Sequence, residues 1–487
     1  MRTPAVIALL LLSIIPPVQA QQPLRAGPHL TAEALHVLHG PYDGLELQLL
    51  VTGSSGAEAE KARVVTLGPD YLAVSSEDGQ TIIDTKLKRL LRIDREAKVF
   101  YNNSLFAPAA FVERELKKRI DLRDAILRAG VAAEKAPPNL KTFWIESDLG
   151  AEVDRDAPLA LDRIDHDDGS VSVLFEGEVV ASWSLSQIPL TSAQQQKLRL
   201  FMQYHLKLHP RLRRAMLAEG KLPAQIRYKR FKGDRLLEES LRFALSQRRR
   251  AAYPLARDLE VRPEPRPDAA FGREVYPVMV AAAYGQQGQG PTAFPSYLAA
   301  ARAAIGRGAL FEAWLTLMEA TLHYLPRSAF CPEGTAGGSD CIGRQVVQDV
   351  LLKDERIREL QTALALEQRA RESEQMIERL GRISREGTSK GYLLDVFRGN
   401  ALSQRPDLRE TFALDPVALI SQGVRKSPYV PSFYKDLGDH FARNLDFVRA
   451  FLCWDLGRAL PQGATNESLL PITALEADLQ KRFPDFF

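Results

Sequence analysis

The sequence predicts an α+β protein, with an antiparallel β-meander domain plus helices in its N-terminal half and an all-helical, repeat-like domain in its C-terminal half. Three observations carry this reading. Up to about residue 247, short apolar runs alternate with Asp- and Gly-led turns, the pattern of strands. From Arg248 the composition shifts to RRRAAYPLARDLEVRPEPRPD, basic and Pro-rich, which reads as a linker or extended arm. Beyond it, apolar residues recur at helical spacing almost throughout. A chain of 487 residues is too long for a single core. The expected partition is a signal peptide at 1–20, a sheet domain at 30–247, a Pro/Gly-rich linker at 248–293 and a helical domain at 294–487.

The N-terminus opens with Met1-Arg2, an apolar run from Ala5 to Ile15, and the small-ended triplet Val18-Gln19-Ala20. That is the layout of a secretory signal peptide. The run is shorter than the roughly 20 residues a membrane helix requires. Gln21, not Cys, follows the expected cleavage point, so acylation there is not expected and no stable membrane anchor is called for. The sequence thus points to a soluble chain in the periplasm, or secreted. Its Arg- and Ala-rich composition and sparse cysteines favour the bacterial periplasm.

The meander is clearest where the chain repeats itself at a ten-residue step. Ile83-Asp84-Thr-Lys-Leu-Lys88 is echoed by Ile93-Asp94-Arg-Glu-Ala-Lys98, each an apolar strand that ends in a turn led by Asp. A helix is expected over 111–128, broken by Pro137-Pro138. Strands are expected at 142–146, 160–164, 171–175 and 179–183, and helices from Ser192 to about His209 and on to Glu219. A hairpin over 224–245 closes the domain, with Ile226 and Tyr228 alternating against Arg227 and Lys229. In the C-terminal half, helices are expected at 295–325, 343–385, 388–402, 415–422, 431–444, 446–460 and 473–482. The loop Gly285–Gly290 lacks the Gly-Lys-Ser/Thr of a phosphate loop and reads as a connection only.

Residues 431–461 resemble a tetratricopeptide repeat: Tyr434, Leu437, Gly438, Phe441, Ala450 and Trp454 fall where that repeat packs its aromatic, Leu, Gly and small residues. Gly457 and Pro461 depart from the pattern. A fainter copy involves Tyr297, Ala313, Leu317, Ala320 and Pro326. The resemblance implies stacked helical hairpins offering a groove to a protein or peptide partner. The sheet half resembles, more distantly, the curved sheets of periplasmic carriers of the LolA type, through its signal peptide, its meander at 71–102 and the strand entry Leu222-Pro223…Tyr228. That resemblance implies a lipid or other apolar ligand and assigns no site residues.

No catalytic signature stands out, and no cofactor is called for. His205 and His209 lie one helical turn apart, without a third ligand or the Glu of a HExxH site; His36 and His39 form a similar pair. Asp165–Gly169 fails the register of a calcium loop and reads as a hairpin turn. The acids of Lys353–Glu359 read as ordinary helical ion pairs. Cys331 and Cys341 bracket a Gly/Ser-rich loop and are expected to form a disulfide in an oxidising compartment. Cys453 reads as a buried core thiol. With 64 basic and 61 acidic side chains, net charge +3, there is no electrostatic case for nucleic acid. The function expected is a non-enzymatic binding or scaffold protein whose helical domain holds a protein or peptide. The alternatives are a lipid or lipoprotein carrier and an enzyme of unrecognised type.

Overall fold

The computed structural model describes residues 27–40, 45–55, 61–129, 139–232, 235–250, 253–264, 270–285, 291–324, 329–330, 341–366, 373–384 and 388–487. The stretch expected as a signal peptide, 1–20, lies outside them. The chain is α+β, as its patterning predicts. Its strands form one sheet: β1 (Leu45–Ser55), β2 (Lys61–Leu67), β3 (Tyr71–Ser76), β4 (Gly79–Asp84), β5 (Arg89–Asp94), β6 (Val99–Ser104), β7 (Asp162–Asp165), β8 (Val171–Phe175), β9 (Glu178–Pro189), β10 (Lys221–Lys232), β11 (Arg235–Arg250) and β12 (Glu260–Arg262). Their order is β12-β6-β5-β4-β3-β2-β1-β11-β10-β9-β8-β7. All neighbours are antiparallel except β12, which runs parallel to β6.

The duplicated turns work as their composition suggests. Asp84 Oδ1 accepts the Leu87 amide at 2.8 Å and Asp94 Oδ1 accepts the Ala97 amide at 2.9 Å. Lys88 (φ 57°) and Lys98 (φ 52°) take the left-handed position that reverses the chain. The meander strands are covered on both faces. Leu72, Val74, Ile83 and Leu90 belong to the main core, whereas Tyr71, Ala73, Ile82 and Leu91 belong to a smaller core with Leu35, Tyr253, Leu255 and Val261. That is why these strands carry paired apolar residues rather than strict alternation. In β10, Ile226 and Tyr228 are buried and Arg227 is exposed, so one face there is wet.

The helices are α1 (Ala32–His39), α2 (Phe106–Arg128), α3 (Asn139–Leu149), α4 (Ser192–Phe201), α5 (Pro210–Leu217), α6 (Tyr276–Tyr284), α7 (Phe294–Gly306), α8 (Leu310–His323), α9 (Arg344–Asp349), α10 (Glu355–Leu366), α11 (Ser373–Ser384), α12 (Tyr392–Gln404), α13 (Asp407–Phe412), α14 (Pro416–Lys426), α15 (Pro431–Arg443), α16 (Phe447–Ala459) and α17 (Leu470–Arg482). Two expectations need correction. The strand expected at 142–146 lies inside α3. Its β-forming residues suit a strand by propensity, but the helix lets Phe143 stack on Phe175 and His209 while Glu146 reaches His209. Tertiary packing overrides a weak local preference. The stretch expected as a linker is built into the fold over its described residues. Arg248–Arg250 complete β11, Tyr253 and Leu255 fill the smaller core, β12 extends the sheet, and Phe271, Val275, Tyr276 and Met279 are buried. The prolines hid these spaced apolar anchors.

In the C-terminal half, α15 and α16 pack against each other. Tyr434, Leu437, Phe441, Ala450 and Trp454 are all buried. Gly438 has no room for a side chain, since a Cβ would strike the Trp454 indole and lie 3.0 Å from the Ala450 carbonyl. Tyr297, Ala313, Leu317 and Ala320 are buried in α7 and α8, while Pro326 lies outside the described residues. The two halves share one continuous apolar core, from Leu47 to Phe487. At their junction Arg89 of β5 pairs with Asp455 of α16 at 2.6 Å, and Arg458 links Asp455 to Glu476 of α17. No helix among the described residues is long and apolar enough to cross a membrane.

Because Gly438 is the contact point of α15 and α16, a Gly438→Ala variant should lose about 2 kcal/mol through overpacking, despite the better helix propensity of Ala. The urea midpoint of tryptophan fluorescence reads this; an unchanged or higher midpoint would show that the helices do not meet there.

Candidate functional site

A concavity with a charged lining lies in the helical half, between α10, α11, α12 and α13, with a volume of about 900 Å³. Glu355, Arg358, Glu359 and Thr362 form one stripe of α10 at helical spacing, and all line the groove. Facing them on α11 are Ile377, Glu378, Arg379, Gly381 and Arg382; Arg398 and Phe412 close the floor. The opposite face of α10 carries Ile357, Leu360 and Ala363, fully buried, so helix packing itself turns the charged stripe to the groove. The acids that the sequence assigned to ordinary helical pairing are engaged otherwise. Asp354, just before α10, pairs with Arg356 two residues on at 2.8 Å, and Glu359 pairs across the groove with Arg382, so neither makes an i,i+3 or i,i+4 pair there.

Two features make the groove more than a gap. Gly381 bares its helix to the Arg398 guanidinium, since a Cβ there would lie 3.0 Å from Cζ. Arg398 Nη1 bonds Asp395 at 3.1 Å, while its buried Nε has no partner among the described residues. Glu355, Glu378 and Arg379 make no ion pair among the described residues. The groove therefore offers charge of both signs, unpaired among the described residues, beside the apolar surfaces of Ile377 and Phe412.

A second cavity, about 490 Å³, sits where the sheet meets the helices. Leu90, Ala107, Phe111, Phe447 and Val448 give it apolar walls, and Arg92, Asn103 and Glu264 a polar end. Glu264 accepts from Arg92 at 2.8 Å and from Asn103 at 2.6 Å. Leu445, at its lip, has φ 61°. That conformation costs a residue with a Cβ about 1 kcal/mol or more.

Sequence reasoning missed a buried polar hub. The Glu319 carboxylate of α8 accepts from Tyr297 at 3.0 Å, Tyr392 at 2.8 Å and Ser427 at 2.5 Å, and it pairs with Lys390. Burial opposes the Glu319 charge, but Lys390, Ser427 and Tyr392 outweigh it and hold the carboxyl below its ordinary value. The hub ties α7 and α8 to α12 and α14. Its members come from four separate segments, so no spacing rule could have found it.

The expected histidine pairs do not act as pairs. His209 Nε2 lies 2.6 Å from Glu146 and its Nδ1 caps α5 by accepting from Arg211. His205 stacks on Phe201, and its Nε2, itself buried, has no partner among the described residues. His39 lies 2.5 Å from Asp84, which also accepts from Tyr253 at 2.7 Å, while His36 bonds the Leu255 carbonyl at 2.6 Å. Asp168 accepts from the Ser170 amide and hydroxyl, so the Asp165–Gly169 stretch is a hairpin turn. Among the described residues no three His, Cys, Asp or Glu side chains are grouped to hold a metal. Cys453 is a buried free thiol, pushed well above its ordinary pKa by burial. Cys331 lies outside the described residues, and so does its expected bond to the buried Cys341.

No family model, no curated protein and no solved structure matches this chain.

Burial pushes His205, His323 and His440 down to about 4 from 6.5, and lowers His209 against the pull of Glu146. These rings stay neutral in the fold while the unfolded chain takes up protons near pH 6.5. Stability should therefore fall as the pH drops from about 6.5 to about 4. Asp436, raised to about 6 by burial, works the other way, but it is one group against several. Thermal midpoints by circular dichroism should decline steadily from pH 7.5 to 4.5, less steeply in His205→Phe. Flat or rising midpoints would contradict this.

Proposed function

We propose that the protein is an exported, periplasmic binding or scaffold protein whose helical half holds a polypeptide partner in the α10–α11–α12 groove. The observation that carries this reading is the combination of charges of both signs that make no ion pair among the described residues, Glu355, Glu378 and Arg379, with the apolar surfaces of Ile377 and Phe412. Such a lining suits a segment with acidic and basic side chains around an apolar anchor, and complementary charge would set its direction. The repeat-like packing of α15 and α16 supports a helical-repeat role in the same sense. The sheet is lined by packed side chains, among them Phe143, Phe175, Trp183, Phe201 and Met202, which favours a scaffold over a carrier that fills its sheet with lipid. A second reading rests on the 490 Å³ junction cleft, whose apolar walls suit a small amphipathic ligand.

A photoreactive residue placed at Thr362 of the full-length protein, expressed in its own host, should form a covalent adduct with a polypeptide. The captured segment should carry both charge signs when mapped by mass spectrometry. Arg379→Glu, with unchanged circular dichroism, should reduce the adduct at least about tenfold, since both attraction and register are lost. An adduct equally strong with Arg379→Glu, or none at all, would sink the groove reading.

The export reading carries its own check. With Cys331 and Cys341 joined in an oxidising compartment, the denatured, unreduced protein should show one reactive thiol, Cys453. Three reactive thiols would remove the disulfide.

A further inference from the structure

The segment Phe483–Phe487 is held by the sheet half as a peptide is held by a receptor. Phe483, Phe486 and Phe487 are each only 3% exposed. The Phe487 ring lies 4.8 Å from Phe106 of α2, and Phe486 meets Tyr204 edge-on at 5.9 Å. Side chains of the α4–α5 hairpin read the backbone: Gln196 donates to the Phe487 carbonyl at 2.9 Å and Tyr204 to the Phe486 carbonyl at 3.1 Å. Between the aromatic anchors, Asp485 faces two cations, Arg199 at 3.3 Å and Arg213 at 3.4 Å.

The receptor side is over-provided for this occupant. Arg213 is wholly buried, yet Asp485 meets a single nitrogen, Nη2, at long range. Its Nε and Nη1 have no partner among the described residues. A guanidinium and a carboxylate bind best through two parallel bonds near 2.8 Å, so the present occupant leaves much of that capacity unused. The hairpin also contains a π-helical turn, Met202–Leu206, ending at Lys207 with φ 52°. Such turns are costly insertions that gather at functional sites. Nη2 also donates to the Gly150 carbonyl at 3.0 Å. A buried guanidinium with two unpartnered nitrogens beside an incompletely matched carboxylate, on the helix that follows a π-helical turn, is the mark of a site able to accept a better ligand.

We propose that the α4–α5 hairpin is a recognition site for a polypeptide segment bearing an acidic residue followed by two aromatics, and that residues 483–487 occupy it in cis. The cis segment acts at high effective concentration, so a partner gains entry only by engaging Arg213 more fully. This site is separate from the α10–α12 groove and stands or falls independently of it.

The test uses the full-length chain with Phe486→Ala and Phe487→Ala, which empties the site without shortening the protein. Fluorescence anisotropy then follows a labelled, C-terminally amidated hexapeptide of residues 482–487. The emptied variant should bind it at least tenfold more tightly than the unaltered protein does. The same peptide with Ala in place of the Asp should bind at least tenfold more weakly. A natively folded variant that binds neither peptide, or both equally, overturns the proposal. Should that variant fail to fold, Asp485→Ala in the full chain keeps the question answerable. Hydrogen exchange over residues 192–217 should then rise and be restored by the acidic peptide but not by its Ala version. Exchange that does not rise, or that both peptides restore, overturns it as well.

Discussion

Arg89 is a cation buried where β5 meets α16, and its charge has to be answered there. Its Nε and Nη2 are spent on Asn102 of the neighbouring strand, which leaves Nη1 for Asp455. Burial opposes the Asp455 charge, but Arg458 and Arg89 outweigh it and hold that carboxyl below its ordinary value. Glu476 then balances Arg458. Four charges thus alternate in sign from β5 through α16 to α17. Leaving one such buried charge unpaired costs about 3–5 kcal/mol, so the chain of pairs fixes one docking position. The junction cleft and the approach of residues 483–487 to α4 both follow from that position.

The same economy governs the buried polar groups elsewhere. His39 with Asp84, His209 with Glu146, and Glu319 with Lys390 each satisfy one polar group with another taken from a distant segment. Each pair works as a staple between elements that apolar packing alone would allow to slide. Asp84 shows how far a single residue can be used: one oxygen caps a turn, while the other receives His39 and Tyr253.

How much of this was legible depended on whether the physics was local. The turns at Asp84 and Asp94 were readable because an Asp side chain bonds its own backbone three residues on. Gly438 and Ala450 were readable because a close helix crossing needs small residues at fixed spacing. The 142–146 segment misled because Phe143 and Trp144 favour strands by propensity, while their burial partners lie elsewhere in the chain. The arm after Arg248 misled because composition averages over Tyr253, Leu255 and Val261, the residues that anchor it. The groove was hidden in plain view: Glu355, Arg358 and Glu359 look like any salt-bridged helix face until α11 is laid against them.

The seam between β1 and β11 sets the order in which this protein can form. Leu45 pairs with Arg250 and Ser55 with Glu239, so two neighbouring strands near the middle of the sheet are about 200 residues apart in the chain. The meander from β1 to β6 has only short connections and can form early, but β1 then presents an open edge, a template for unwanted pairing. Closing so long a loop is entropically unfavourable, and non-local pairing slows folding. A newly made chain therefore has half a sheet and an unguarded edge until residue 250 arrives. Closure of that seam is therefore a late event, set by the topology of the sheet rather than by the strength of any one pair of residues.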